Sequence, residues 1–177
     1  MIRPPPDSPN PKLTPVLTII SGGQTGADRA ALDFAIAHGI AHGGWCPRGR
    51  RADDGVLDVR YKLRETESRN YRQRTRRNVE DSDATLILHL GELTDGSLYT
   101  FRCAERCGKP ACVVALDAAD CSAQVERVRA WLATHAVTVL NMAGPRESKC
   151  PGMHQQALAF LEALHAGSST PFFGQMQ

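Results

Sequence analysis

Apolar positions fall in short continuous runs separated by stretches that are apolar on one face only. "VLTII" (16–20) is unbroken and rich in β-branched residues, as expected of a strand buried on both faces. "SGGQTGAD" (21–28) follows, small and polar, with three glycines. Ala31, Leu32, Ala35 and Ile36 then recur at helical spacing. This predicts a strand, a tight turn and a helix over roughly 26–38. Thr25 and Asp28 read as its [ST]-x-x-[DE] capping box, and Gly39 as its stop.

The pattern then repeats. A short strand is expected near 41–45. "ATLILHL" (84–90) reads as a central strand, followed by a helix around 97–107 and the strand "ACVVAL" (111–116). Val125, Val128, Trp131 and Leu132 line one face of a helix over about 121–134. "VTVLN" (137–141) reads as a fifth strand, and Ala157, Leu161 and Leu164 mark a last helix over 152–165. Such alternation predicts an α/β three-layer sandwich with a mostly parallel central sheet of at least five strands. Runs 16–20 and 84–89 are expected as neighbours near its centre. One domain over 16–165 is expected, after a Pro-rich lead-in (1–15) and before a tail (166–177) carrying Phe172 and Phe173.

Composition narrows the classes. The chain has 177 residues, 42% hydrophobic and 23% charged, with a net charge of +2. That is ordinary for a globular domain and too little charge to argue for nucleic acid by itself. No apolar run approaches a membrane span, and the N-terminus lacks the apolar centre of a signal peptide. A cytoplasmic location is expected. The six cysteines contain no C-x-x-C pair, and Cys103 and Cys107, one helical turn apart, lack further ligands at usual spacing. Free thiols and no structural metal are expected.

In open parallel sheets ligands bind outside the carboxyl ends of the strands. Four strand ends here carry Gly with polar residues: "SGGQTGAD", "CPRGRRADDG", "GELTDGS" and "MAGPRES". The glycines of the first permit close backbone approach, and the helix after it offers N–H groups to an anion. It matches neither G-x-G-x-x-G nor the P-loop, so a turn made only for packing stays open. In the second loop Arg48, Arg50 and Arg51 suit phosphate or carboxylate, or simply pair with Asp53 and Asp54. Residues 60–77 carry eight Lys/Arg against two Glu. They form a solvated face, an RNA-binding strip or a cationic wall of the ligand site; "EDSD" (80–83) offsets much of the charge and weakens the RNA reading.

Taken in order, "SGGQTGADRAALD", "GGWCPRGRRADDG", "YKLRETESRNYRQRTRRNVEDSDATLIL", the Gly-Ser turn after it, "CGKP" and "LNMAGPRES" resemble the putative molybdenum carrier family. That family is similar to a wider Rossmann-like group containing the cytokinin-activating phosphoribohydrolases and nucleotide-sensor domains. The resemblance spans roughly 16–165. It implies a Rossmann-like fold, a homo-oligomer, and a phosphorylated small molecule as partner, molybdenum cofactor among the candidates. The related hydrolases use G-G-x-G-T-x-x-E, whose Glu supports cleavage of an N-glycosidic bond. Here Gly96 and Ser97 match the Gly-Thr step, but Thr100 stands at the Glu position and the first Gly is absent.

The leading expectation is a binding protein holding a phosphorylated pterin- or nucleotide-like ligand. Gly22, Gly23, Thr25 and Gly26 would cradle the anion by backbone N–H groups, with Gln24 and Arg29 nearby, and Gly96, Ser97 and Thr100 would form a second cradle. Arg48, Arg50, Arg76, Asn78 or Arg146 would supply charge and hydrogen bonds. The alternatives are a nucleotide N-glycosidase or related hydrolase using Asp53, Asp54, Asp81 or Asp83, and an RNA-binding domain using the arginine-rich helix. Part of 69–79 is expected to face the pocket or a subunit interface.

Overall fold

A computed structural model describes residues 18–166 other than Thr94 and Ala119. The proline-rich lead-in and the Phe172–Phe173 tail lie outside the described residues. Five parallel strands make the central sheet: β1 (Thr18–Ser21), β2 (Ala41–Gly43), β7 (Ala84–His89), β8 (Ala111–Ala115) and β9 (Val139–Ala143). Four two-residue strands lie between β2 and β7. β3 (Trp45–Cys46) pairs in parallel with β6 (Arg64–Glu65), and β4 (Arg51–Ala52) makes a hairpin with β5 (Gly55–Val56). The helices are α1 (Ala27–Ala37), α2 (Tyr71–Glu80), α3 (Asp95–Arg106), α4 (Cys121–Thr134) and α5 (Met153–Ala166).

The expected Rossmann-like three-layer arrangement is the one observed. α1, α4 and α5 bury their apolar faces on one side of the sheet, around Phe34, Val128, Leu132, Phe160 and Leu161. α2 and α3 pack together, with Val79, Cys103 and Ala104 as their shared core. β7 is buried over Ala84–Leu88, matching its unbroken apolar run. A satellite cluster of Leu32, Cys46, Leu57, Tyr61 and Leu63 ties the long β3–β6 connection to α1.

Two expectations are corrected. The strand order is β2-β1-β9-β7-β8, so β1 and β7 are not neighbours; β9 lies between them. Ile20 pairs with Asn141, and Thr85 pairs with the same Asn141 from the other side. Asn141 is buried and donates to Thr85 Oγ1 (3.2 Å), so a polar side chain is satisfied inside the sheet. The Thr25–Asp28 capping box does not form. Gly26 is the N-cap and no side chain caps the helix. Thr25 Oγ1 accepts instead from Glu147 N (3.3 Å), and Asp28 turns toward α2.

The arginine-rich stretch begins its helix at Tyr71, with the Asn70 side chain capping Arg72 N. Its inward face sets the polar Thr75 and Asn78 beside the apolar Val79. Asn78 accepts from Trp45 N (2.7 Å) and donates to Trp45 O (3.1 Å), acting as a backbone-like partner that fastens β3 to α2. Lys109 Nζ donates to Glu80 O and Ser82 O beyond the end of α2, a structural role for the lysine of "CGKP". Among the described residues no helix is long and apolar enough to cross a membrane.

Candidate anion site at the carboxyl edge of the sheet

The turn after β1 carries three glycines for different reasons. Gly23 (φ +72°) and Gly26 (φ +81°) sit in the left-handed region. A Cβ at Gly26 would also lie 2.3 Å from Pro145 O in the loop after β9. These two are required by the fold itself. Gly22 has no such φ; a Cβ there would lie 1.9 Å from Arg74 Nη1. The missing side chain at Gly22 makes room for a guanidinium.

Arg74 reaches this place from α2. Its Nη1 lies 3.2 Å from Asp28 Oδ2 on α1, with the two side chains 13% and 3% exposed. The contact is an ion pair without the alignment of a hydrogen bond: Asp28 Oδ2 and Arg74 Nε are both buried without a hydrogen-bond partner. Ser21 Oγ, at the end of β1 and fully buried, is also unpartnered. Burial pushes the Asp28 carboxyl up, opposed by the charge of Arg74, the N–H of Gln24 and then Arg146 and Arg29. Three buried polar atoms with unused capacity beside one glycine are unusual, because such groups are nearly always satisfied.

A second polar cluster closes the mouth of the turn. Asp53, at the tip of the β4–β5 hairpin, accepts from Arg146 Nη1 (2.7 Å), Ser148 Oγ (2.6 Å) and Gln24 Nε2 (3.2 Å). Gln24 Oε1 in return accepts from Asp53 N (2.8 Å) and Thr25 N (2.9 Å). Next to it Arg29 holds Asp54 with two bonds (2.9 and 3.1 Å) and donates to Gly23 O through Nε and Nη2. The hydrogen bond from Arg29, against a smaller effect of burial, holds the Asp54 carboxyl below its usual value.

Gly22, Gly23, Gln24, Thr25, Gly26, Arg29, Arg146, Asp53 and Asp54 thus come together. Others among the sequence candidates are used elsewhere. Arg50 (φ +50°) donates to the carbonyls of Leu57, Leu63, Asp58 and Tyr61, organising its own loop. Arg76 pairs with Glu80 on the exposed face of α2, and Arg48 is exposed. Asn78 is committed to Trp45. Asp81 binds Trp45 Nε1 (2.8 Å) and Arg64 past the end of α2. Asp83 lies at the amino edge, where its Oδ2 accepts from Thr138 and Val139. Gly96, Ser97 and Thr100 open α3 at the carboxyl end of β7, two strands from β1; Thr100 Oγ1 donates to Gly96 O (3.0 Å). Among the described residues no group of His, Cys, Asp and Glu could hold a metal ion. Two surface cavities lie away from the turn, one beside Phe160 and Gln124 and one beside Ile40 and Arg60.

Sequence reasoning left out Ser21, Arg74 and Ser148, and gave Asp28 only a capping role. Arg74 had a signal: it shares a helix face with Tyr71 and Asn78 at spacings of three and four. Its uniformly basic surroundings hid it.

No curated protein matches the chain. A crystal structure of a "putative molybdenum carrier protein" from Syntrophus aciditrophicus SB is 45% identical, covers 85% of this chain and 96% of that one, and superposes with a TM-score of 0.83. The family model described as "Circularly permutated YpsA SLOG family" matches residues 19–165. The chain belongs to that family.

Proposed function

We propose that this protein binds a phosphorylated small molecule, of nucleotide or pterin type, at the carboxyl edge of its sheet. The observation that carries the reading is the cluster of Ser21 Oγ, Asp28 and Arg74 beside Gly22: buried, polar and incompletely partnered. An oxyanion reaching Gly22 would give Arg74 the aligned acceptors it lacks, and guanidinium forks match phosphate geometry. Arg29 and Arg146 add positive charge at the mouth. The similarity to a protein named as a molybdenum carrier makes molybdenum cofactor, a phosphorylated pterin, one candidate cargo. A cytoplasmic homo-oligomer is part of the proposal. The hydrolase reading gains no support from Asp53 and Asp54, both held by arginines, or from Thr100, which spends its hydroxyl on Gly96 O.

The test is thermal denaturation with AMP, GMP and a pterin phosphate, each against its dephosphorylated form. The phosphorylated members should raise Tm by mass action. Arg74→Met should remove the shift while circular dichroism stays native. If no phosphorylated compound stabilises the protein more than its parent, the reading fails.

A further inference from the structure

Resting on that reading of the site, we propose that the tip of the β4–β5 hairpin is a built-in competitor for the ligand: the Asp53 carboxylate occupies a subsite for a tetrahedral oxyanion and must be displaced before the oxyanion can enter. The donors around Asp53 come from two loops, and the acceptor from a third. Gln24 belongs to the turn after β1, Arg146 and Ser148 to the loop after β9, and Asp53 itself to the connection after β2. A guanidinium, a hydroxyl and an amide N–H converging on two oxygens are the donor set that a phosphate group recruits. Gln24 is buried, and its Oε1 also accepts from Thr25 N, a bond within the turn that does not depend on the hairpin.

Ala52 and Leu57 pack on the satellite cluster at the base of the hairpin, and its tip is tied to the body by polar contacts alone. Asp53 and Asp54 are held through Arg146, Ser148, Gln24 and Arg29, and Leu57 through Arg50. Val56, between the tip and Leu57, is 77% exposed. Few buried contacts and many exposed polar ones mark a segment that opens at low cost. Asp53 is a monoanion tethered at high local concentration; a phosphate dianion offers more charge and one more oxygen. Binding to a state that exists only when the hairpin is lifted weakens apparent affinity by the fraction open. A latch closed in about nine molecules of ten raises the apparent Kd about tenfold.

The experiment is calorimetric titration of the full chain with inorganic phosphate at constant ionic strength. Asp53→Ala should bind about tenfold more tightly than wild type. Asp58→Asn removes the same charge from the same connection, at a carboxylate that accepts from Arg60 N, and should change affinity less than twofold. Asp53→Ala with Arg146→Met should lose the gain. A readout on the unmutated protein is hydrogen exchange at the Asp53 amide, now bonded to Gln24 Oε1. Phosphate should speed that exchange while raising Tm. Equal or weaker phosphate binding by Asp53→Ala, or an Asp53 amide further protected by phosphate, overturns the latch and leaves the site's ligand class standing. Failure of wild type and every variant to bind phosphate or AMP overturns both.

Discussion

Gly22→Ala separates packing from electrostatics at the turn. Gly22 is not in the left-handed region, so alanine brings no φ strain. Its methyl carbon would lie 1.9 Å from Arg74 Nη1, the far end of a flexible side chain, so the guanidinium yields and the backbone stays. Restoring van der Waals contact at ~3.5 Å moves Arg74 outward by about 1.6 Å. The gap to Asp28 Oδ2, now 3.2 Å, widens to roughly 5 Å. At an effective dielectric constant of about 20, that change weakens the attraction by about 2 kcal/mol. The ceiling is the cost of protonating Asp28 instead, about 4 kcal/mol at pH 7 for a carboxyl whose unfolded pKa is ~3.9. For a chain of this size 2 kcal/mol lowers Tm by about 4–8 °C.

The pH dependence distinguishes this from a simple clash. Burial already raises the Asp28 carboxyl, and loss of Arg74 raises it further. A carboxyl with a raised folded pKa contributes fully below its unfolded value and loses that contribution as pH rises through the folded value. The deficit of Gly22→Ala should therefore be small near the unfolded carboxyl value and grow as pH rises through the folded ones. Urea unfolding followed by circular dichroism at pH 4.5, 6 and 8 measures it. Gly23→Ala is the contrast: its φ of +72° and the approach to Leu63 Cδ1 (2.6 Å) should destabilise equally at every pH. A Gly22→Ala protein as stable as wild type at pH 8, or a deficit independent of pH, refutes the electrostatic account.

Two other groups give independent outcomes. Burial pushes the Asp83 carboxyl up, but hydrogen bonds from Val139 N and from Thr138 Oγ1 and N outweigh it and hold the group below its usual value. Its stabilisation is then present above the unfolded pKa and lost as pH falls through the lower folded one; Asp83→Asn should cost about 1 kcal/mol at pH 7 after allowing for solvent screening, with the two unfolding curves converging in acid. Arg50→Met should leave far-UV circular dichroism nearly native but expose residues 51–63 to early proteolytic cutting, because four carbonyls lose one guanidinium; a cleavage map identical to wild type counts against that role.

The architecture was legible because each element carries a local signature. β7 reads as buried from "ATLILH" alone, and α4 from Val125, Val128 and Leu132. Strand order was not legible, since the runs at 16–20, 84–89 and 139–143 are equally apolar and nothing local says which pair. Gly144, just past β9, permits the close approach to β7 that this order brings: a Cβ there would lie 2.3 Å from Leu88 O. The site was half legible. Polar loops after several strands point to one edge once the sheet is known to be parallel. Which arginines serve it depends on tertiary geometry. Arg50 and Arg74 look alike in sequence, yet one faces four carbonyls and the other one buried carboxylate.

Inserting β9 beside β1 has a chemical consequence. It carries Pro145, Arg146 and Ser148 to the turn, and the close approach of Pro145 O is what forces glycine at position 26. The same approach lets Ala27 N bond Pro145 O (3.3 Å) at the start of α1. One N–H of the helix terminus is therefore consumed by the protein, and Thr25 N is consumed by Gln24. The amino end of α1 then has less to offer an anion than its sequence suggests. Charge at this edge comes instead from side chains supplied by other elements: Arg74 from α2, Arg146 from the loop after β9 and Arg29 from the first turns of α1. On the proposed reading, recognition would rest on three arginines, each held by an aspartate, and would be easier to modulate than recognition by backbone N–H groups, because each aspartate would set a threshold for the ligand to exceed.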